Sequence, residues 1–302
     1  MADDVSAVVD EVVSRVKRRL EALDAGKNDP CTTGPGNKAV AIRDPDECAD
    51  SCDTCPNHDS CGTLLAVKTG AARISPDKVK TSGDIAQYID HTLLKPEATR
   101  EEVLKLCDEA RRHSFATVCL NSINIATAAR ALTGSRVVPI AVVGFPLGAS
   151  LPSAKAFETR EAIRCGAKEI DMVINIGALR AKDYALVLKD IEMVVNAAGR
   201  TPVKVILETS QLSLEEKIVG CALSKAAGAA FVKTSTGFAG GGATVEDVTL
   251  MRKVVGDDVG VKASGGIRST DDAMKMIAAG ANRIGASASV AIITGGTSTS
   301  KY

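Results

Sequence analysis

The sequence predicts an α/β chain, a closed TIM (β/α)8 barrel with an N-terminal helical and Cys-rich extension, and three observations predict it. From about Gln87 onward, strand-like and helix-like runs alternate eight times, the pattern of a parallel sheet. Aromatic residues make up 3% of the 302 residues, with no Trp, against a strong Val, Ile, Ala and Gly bias that suits tight parallel α/β packing. No strand is followed by a Gly-x-Gly-x-x-Gly turn with an acid downstream, which disfavours an open dinucleotide-binding sheet.

Taken in order, the elements divide the chain into an extension over residues 1–80, a barrel over 81–293 and a flexible tail over 294–302. Val5, Val9, Val12, Val16, Leu20 and Leu23 recur at helical spacing, with Arg15, Lys17, Arg18 and Arg19 between them. Such an amphipathic helix must dock, on its own barrel or on a second subunit. Residues 25–62 are rich in Asp, Pro, Gly, Asn and Cys and hold almost no large apolar residue, so they build no core alone. The barrel then begins with AQYIDHTLL and the helical TREEVLKLCDEARRH, where Thr99 with Glu102 makes a capping box. FATVCL, VVPIAVVG, KEIDMVINI, VKVILET, AAFVKTS, GVKASGG and RIGAS follow as strands, each with its helical run. Ser213 and Thr244 stand where helix caps belong.

Composition excludes several classes of function. Lys plus Arg and Asp plus Glu both number 37, so no global field draws nucleic acid or an anionic membrane. The acidic, then amphipathic start lacks the order of a signal peptide, and no apolar run reaches membrane-spanning length. The expectation is a soluble cytoplasmic protein, with Cys107, Cys119, Cys165 and Cys221 as buried reduced thiols.

Chemistry is expected at the C-terminal ends of the strands. Asp90, Asp171, Lys204, Glu208, Lys233 and Lys262 are ionisable residues within or at the ends of apolar strands. Any one of them alone reads as an outward residue or a salt bridge near the barrel bottom. Lys204, at the start of its strand, keeps that plain reading. Lys233 and Lys262 lie late in adjacent strands beside glycine-rich loops, and both are expected to face inward. Two ammonium groups in one dry space disfavour each other's charge, and burial acts the same way, lowering the pKa of at least one. A free amine attacks carbonyl carbon to form a Schiff base. A nearby carboxylate, with Asp171 the leading candidate, would shuttle protons.

Gly237, Gly265 and Gly266 close the sixth and seventh strands, and Ser287 closes the eighth. Exposed backbone N–H groups in such loops bind phosphate, and the loops after a barrel's last two strands are a common site for it. Gly240 to Gly242 read instead as a flexible loop.

These pieces resemble the 2-deoxyribose-5-phosphate aldolases, a family of class I, Schiff-base aldolases. IDHTLLKPEAT, TVCLNS, VVGFPLG, KEIDMVINIGAL, KVILETS, FVKTSTGF with GGAT, VKASGGIR and RIGAS run in order from Ile89 to Ser289. The resemblance implies reversible cleavage of 2-deoxy-D-ribose 5-phosphate to acetaldehyde and D-glyceraldehyde 3-phosphate, with no cofactor for catalysis. It implies Lys233 as the Schiff-base lysine, Lys262 as the second lysine, and Asp171 as the proton-relay aspartate. Gly237, Gly265, Gly266 and Ser287 resemble the phosphate site, with Cys119 as lining and Asp90 in support. Some members end in a tyrosine that helps move the proton, a role the resemblance extends to Tyr302. Phe238 stands where some relatives have a lysine, so phosphate binding relies more on backbone amides. Sugar phosphates and aldehydes are then the partners, with a homo-oligomer (dimer or tetramer) expected. The alternatives are another phosphate-binding Schiff-base sugar-phosphate aldolase, or a metal- or redox-responsive binding protein on a barrel scaffold.

The extension falls outside this resemblance. Cys48, Cys52, Cys55 and Cys61, with His58 among them, supply enough thiolates for a zinc or iron–sulfur site, structural or regulatory. Only Cys52 and Cys55 have the common two-residue gap, so a redox cluster or free thiols stay open as readings.

Overall fold

The computed structural model describes residues 2–25, 79 and 81–296. Cys48, Cys52, Cys55, Cys61 and Tyr302, singled out above, lie outside the described residues.

Eight parallel strands close into a barrel in sequence order. They are β1 (Ile89–Leu93), β2 (Thr117–Asn121), β3 (Val138–Val143), β4 (Glu169–Val173), β5 (Val203–Ile206), β6 (Phe231–Lys233), β7 (Gly260–Ser264) and β8 (Arg283–Ala286). β1 pairs with both β2 and β8, so the ring has no edge. Around it run α2 (Arg100–His113), α3 (Ile125–Ala131), α4 (Pro152–Arg164), α5 (Ile176–Arg180), α6 (Tyr184–Ala198), α7 (Leu214–Ala226), α8 (Val245–Val255), α9 (Thr270–Ala278) and α10 (Ser289–Thr294), after α1 (Ala2–Ala25).

Local signals set the helix starts. Thr99, Ser213 and Ser269 each accept the N–H of the acid three residues on, and that acid's carboxylate accepts the cap's own N–H. Thr244 caps α8 by accepting from Asp247 N at 3.0 Å. Val118, Leu120, Ala141, Ile170, Met172, Val205, Val232, Val261 and Ile284 are fully buried in the main apolar core. With side chains alternating along each strand, the intervening residues face the barrel axis.

The extension's helix docks on its own barrel. α1 packs on α7 and α8, burying Val9, Val12 and Val16, while Arg15 pairs with Glu215 at 2.9 Å and Arg19 lies over the Tyr184 ring. A second buried staple joins α4 to α6, where Lys155 Nζ donates to Asp190 Oδ2 at 2.6 Å and to the Val173 carbonyl at 2.9 Å. Burial lowers the Lys155 pKa and raises that of Asp190, since taking both charges out of water disfavours each. Apolar side chains nevertheless remain outside: Ile123, Leu147, Leu151 and Phe157 are all more than half exposed, and all lie on α4 or the loops beside it.

Candidate active site

The barrel register brings the sequence-selected residues together. Lys233, the last residue of β6, stands level with Lys262 on β7. Asp171 on β4 stands level with Lys204 on β5, and Lys262 stands level with Arg283 on β8. All are buried, Lys233 retaining 3% exposure.

Asp171 lies between the two lysines. Its Oδ2 accepts from Lys233 Nζ at 2.9 Å and from Lys262 Nζ at 2.8 Å. Its Oδ1 is 3.2 Å from Lys204 Nζ. Burial pushes the Asp171 carboxyl up, but Lys204, Lys233 and Lys262 together hold it well below the usual carboxylate range. Asp90 is the second anion, 2.6 Å from Lys262 Nζ and 2.6 Å from Arg283 Nη1, and it accepts from Thr117 Oγ1 at 2.8 Å. Burial raises it too, and Lys262, Arg283 and Lys204 more than offset that, leaving it lowered. Glu169 completes the set, paired with Lys204 and, at 3.1 Å, with Arg283 Nη2.

Two sequence expectations bear on these residues. Mutual repulsion of bare lysines was expected to lower a pKa in the pair. Lys262 is not the lysine so affected: burial pushes it down, but Asp171 and Asp90 in contact with it raise it above the ordinary lysine range. Lys204, read as an outward residue or a salt bridge near the barrel bottom, points to the axis and forms ion pairs with both Asp171 and Glu169. Glu169, Arg283 and Thr117 were missed outright. The available signal was parity, since Glu169 and Asp171 are two apart on one strand and so share its inner face.

Around Asp171 the described interior holds four cations, Lys204, Lys233, Lys262 and Arg283, and three anions, Asp90, Glu169 and Asp171. Four minus three leaves one positive charge over, and loss of one amine proton balances the set. Phe231 lies beneath Lys204 and Arg283, with their cationic groups 5.4 and 5.8 Å from its ring centre. Space for Lys262 depends on Gly285, where an added Cβ would fall 2.9 Å from Lys262 Cε. Cys119 is buried with Leu94, Ile140 and Val142, apolar lining beside this network, and burial raises its thiol pKa, which nearby Lys262 offsets in part. Asp90 is held by Lys262, Arg283 and Thr117, so it braces the lysine and does not lie among the glycine loops.

Those loops are tied to one another. Thr234 Oγ1 donates to the Ser264 carbonyl at 2.8 Å and accepts from Ser264 N at 2.9 Å. Ser264 Oγ donates to the Ser235 carbonyl at 2.6 Å. Gly240 to Gly242, read from sequence as a flexible loop, are partly packed: a Cβ on Gly242 would sit 2.4 Å from the Gly265 carbonyl oxygen, and one on Gly241 2.5 Å from Ser210 Cβ. Gly237, Gly265 and Gly266 all have positive φ (89°, 89° and 75°), which glycine adopts freely. Ser287 and Gly266 are exposed and Gly237 partly so. Among the described residues, no group of three or more His, Cys, Asp or Glu is arranged to hold a metal, and no helix is long and apolar enough to cross a membrane.

A closed parallel barrel with strand-borne lysines gathered on one carboxylate, next to glycine loops, defines an enzyme that handles carbonyl carbon through an amine. The chain belongs to the DeoC/LacD family aldolases, whose sequence profile matches residues 85–295. It is 59% identical over 223 residues to the deoxyribose-phosphate aldolase of Halalkalibacterium halodurans, covering 73% of this chain and 100% of that protein. It is 58% identical to the deoxyribose-phosphate aldolase of Streptococcus gordonii over 72% of this chain and 98% of that one. Among solved structures, the tetrameric deoxyribose phosphate aldolase from Aeropyrum pernix matches with a TM-score of 0.68 and 31% identity, covering 77% of this chain and 96% of that one.

Proposed function

We propose that this chain reversibly cleaves 2-deoxy-D-ribose 5-phosphate to acetaldehyde and D-glyceraldehyde 3-phosphate through a Schiff base on Lys233. The observation that carries this reading is the single oxygen, Asp171 Oδ2, that both Lys233 and Lys262 contact. The names and identities of the relatives support the substrate.

The free amine of Lys233 attacks the sugar's aldehyde carbon, and loss of water from the adduct leaves an iminium. Withdrawal of the C3 hydroxyl proton then breaks the C2–C3 bond. Its electron pair moves into the iminium to give an enamine, and D-glyceraldehyde 3-phosphate departs. Protonation of the enamine carbon and addition of water release acetaldehyde and restore the amine. Asp171, touching Lys233, is placed to pass protons through water, and Lys262 holds Asp171 ionised and in position. The backbone amides of Gly237, Gly265, Gly266 and Ser287 receive the phosphate, with Cys119 as apolar wall and Asp90 fixing Lys262.

Borohydride reduction with acetaldehyde, followed by peptide mass mapping, tests the reading. The expected result is one adduct, on Lys233, and none in Lys233→Ala, which loses turnover. Labelling of another lysine, or turnover of a few per cent in Lys233→Ala, refutes it, and trapping only with a larger ketose points to a different sugar-phosphate aldolase.

Four finer readings go with it. The buried free thiols Cys107, Cys119 and Cys221 fit a cytoplasmic, reducing setting. A homo-oligomer is supported by the exposed Ile123, Leu147, Leu151 and Phe157. Tyr302 as a proton carrier rests on the resemblance, and a metal on Cys48, Cys52, Cys55 and Cys61 rests on spacing. Unchanged turnover on removing Tyr302, or protein purified without air that contains no transition metal, removes the respective reading.

A further inference from the structure

Glu208 stands out among the buried ionisable groups because the chemistry above makes no use of it. It follows β5 and is 1% exposed, with a left-handed backbone (φ 58°, ψ 61°) that glycine or asparagine would adopt more readily. No Lys or Arg pairs with it among the described residues. Its carboxylate reaches across to the loop that leaves Lys233, where Oε2 accepts from Thr236 N at 3.0 Å and from Thr236 Oγ1 at 2.5 Å. Thr236 Oγ1 in turn accepts from Phe238 N at 3.0 Å. The turn Thr236–Gly237–Phe238 is therefore gripped at both ends by one chain of hydrogen bonds that starts on Glu208. Neighbouring hydrogen bonds hold the base of this chain, since Leu207 N donates to the Lys233 carbonyl at 2.9 Å and Thr209 N to the Thr234 carbonyl at 3.0 Å. A strained backbone and a buried, cation-free carboxylate persist only where the surroundings enforce them, and such features gather at working sites.

We propose that Glu208 is a positioning residue that sets the enzyme's preference for phosphorylated substrate: through Thr236 it fixes where the Gly237 amide stands, four residues beyond the reacting lysine. The inference rests on the aldolase reading and on Gly237 serving the phosphate. With Thr236 N and Oγ1 both committed to Glu208, the turn has one conformation, and the Gly237 N–H is presented without reorganisation when phosphate arrives. Loss of the grip frees the turn while leaving Lys233, Lys262 and Asp171 in place.

The test compares 2-deoxyribose 5-phosphate with unphosphorylated 2-deoxyribose in wild type, Glu208→Ala and Glu208→Gln. Glutamine keeps an acceptor for Thr236 and serves as the conservative rescue. Glu208→Ala should raise KM for the phosphorylated sugar about tenfold, with kcat within about twofold, while kcat/KM for the unphosphorylated sugar barely moves. Glu208→Gln should restore most of that KM. Should Glu208→Ala fail to fold, Thr236→Val removes the gripped hydroxyl with little change of shape and should reproduce the pattern. Equal losses on both sugars, or a fall in kcat alone, overturn the proposal. Borohydride trapping of acetaldehyde on each variant keeps the two readings apart: an intact Lys233 adduct without the KM change refutes the role of Glu208 alone, and no adduct in wild type refutes the aldolase reading itself.

Discussion

Asp171 illustrates how a buried charge survives at the scale of one residue. Three ammonium groups on its two oxygens more than offset the loss of water, and the cost of desolvation is met by pairing within a closed ring. The same pairing fixes a pH window. Asp90 and Asp171 ionise in the folded chain well below the ordinary carboxylate range. Their contribution to stability is therefore present above about pH 4 and drains away as pH falls. Lys262 keeps its proton above the ordinary range, so its contribution is present below about pH 10 and is lost as pH rises further. Thermal melts of wild type and Asp90→Asn should differ by a constant amount near neutrality and converge below about pH 4. A gap that persists unchanged into acid would contradict this account. Lys233 and Lys262 were legible in the sequence because an ionisable residue late in an apolar strand has few outward options, and Asp171 because a pair of inward lysines calls for a carboxylate nearby. Lys204 was only half legible, as a salt bridge without its partners: position within a strand suggests depth along the axis, but which face a side chain takes depends on register, which one strand alone does not reveal.

At the scale of elements, the packing of α4 against α6 turns on the ion pair of Lys155 with Asp190. Both side chains are fully buried, and Gly144 leaves room for the lysine stem, since a Cβ there would fall 2.8 Å from Lys155 Cε. Asp190→Ala strands a buried ammonium and should cost about 3–5 kcal/mol by denaturant titration, whereas Lys155→Met with Asp190→Leu should recover most of it. A double variant no better than the single one would show that the pair's geometry, and not charge burial, sets the cost. Strands and helices themselves were readable because caps such as Thr99 with Glu102 and the alternating βα runs are local signals. Contacts between successive loops were not: Gly240 to Gly242 look like slack until Gly265 and Ser210 are seen against them. Such proximity is created by closure of the ring and leaves no trace in the composition of one loop.

At the scale of the whole molecule, the large apolar side chains that are more than half exposed among the described residues gather near one helix. Ile123, Leu147, Leu151 and Phe157 form an exposed apolar set around α4, and association of identical chains through it would cover them. Light scattering should show a mass above that of one chain for wild type, and a decrease for Phe157→Glu with unchanged helix content. A wild-type chain that is monomeric at high micromolar concentration would remove this reading.

The placement of α1 has its own consequence for such assemblies. The Halalkalibacterium halodurans protein is covered over its whole length by 73% of this chain, so the remaining residues have no counterpart in it. Here Val9, Val12 and Val16 are spent on the outer surface of α7 and α8. That flank is thereby occupied from within, and a neighbouring barrel seeking it would first have to peel the helix away. Any contact that a second chain makes on that side of the barrel therefore includes the helix itself.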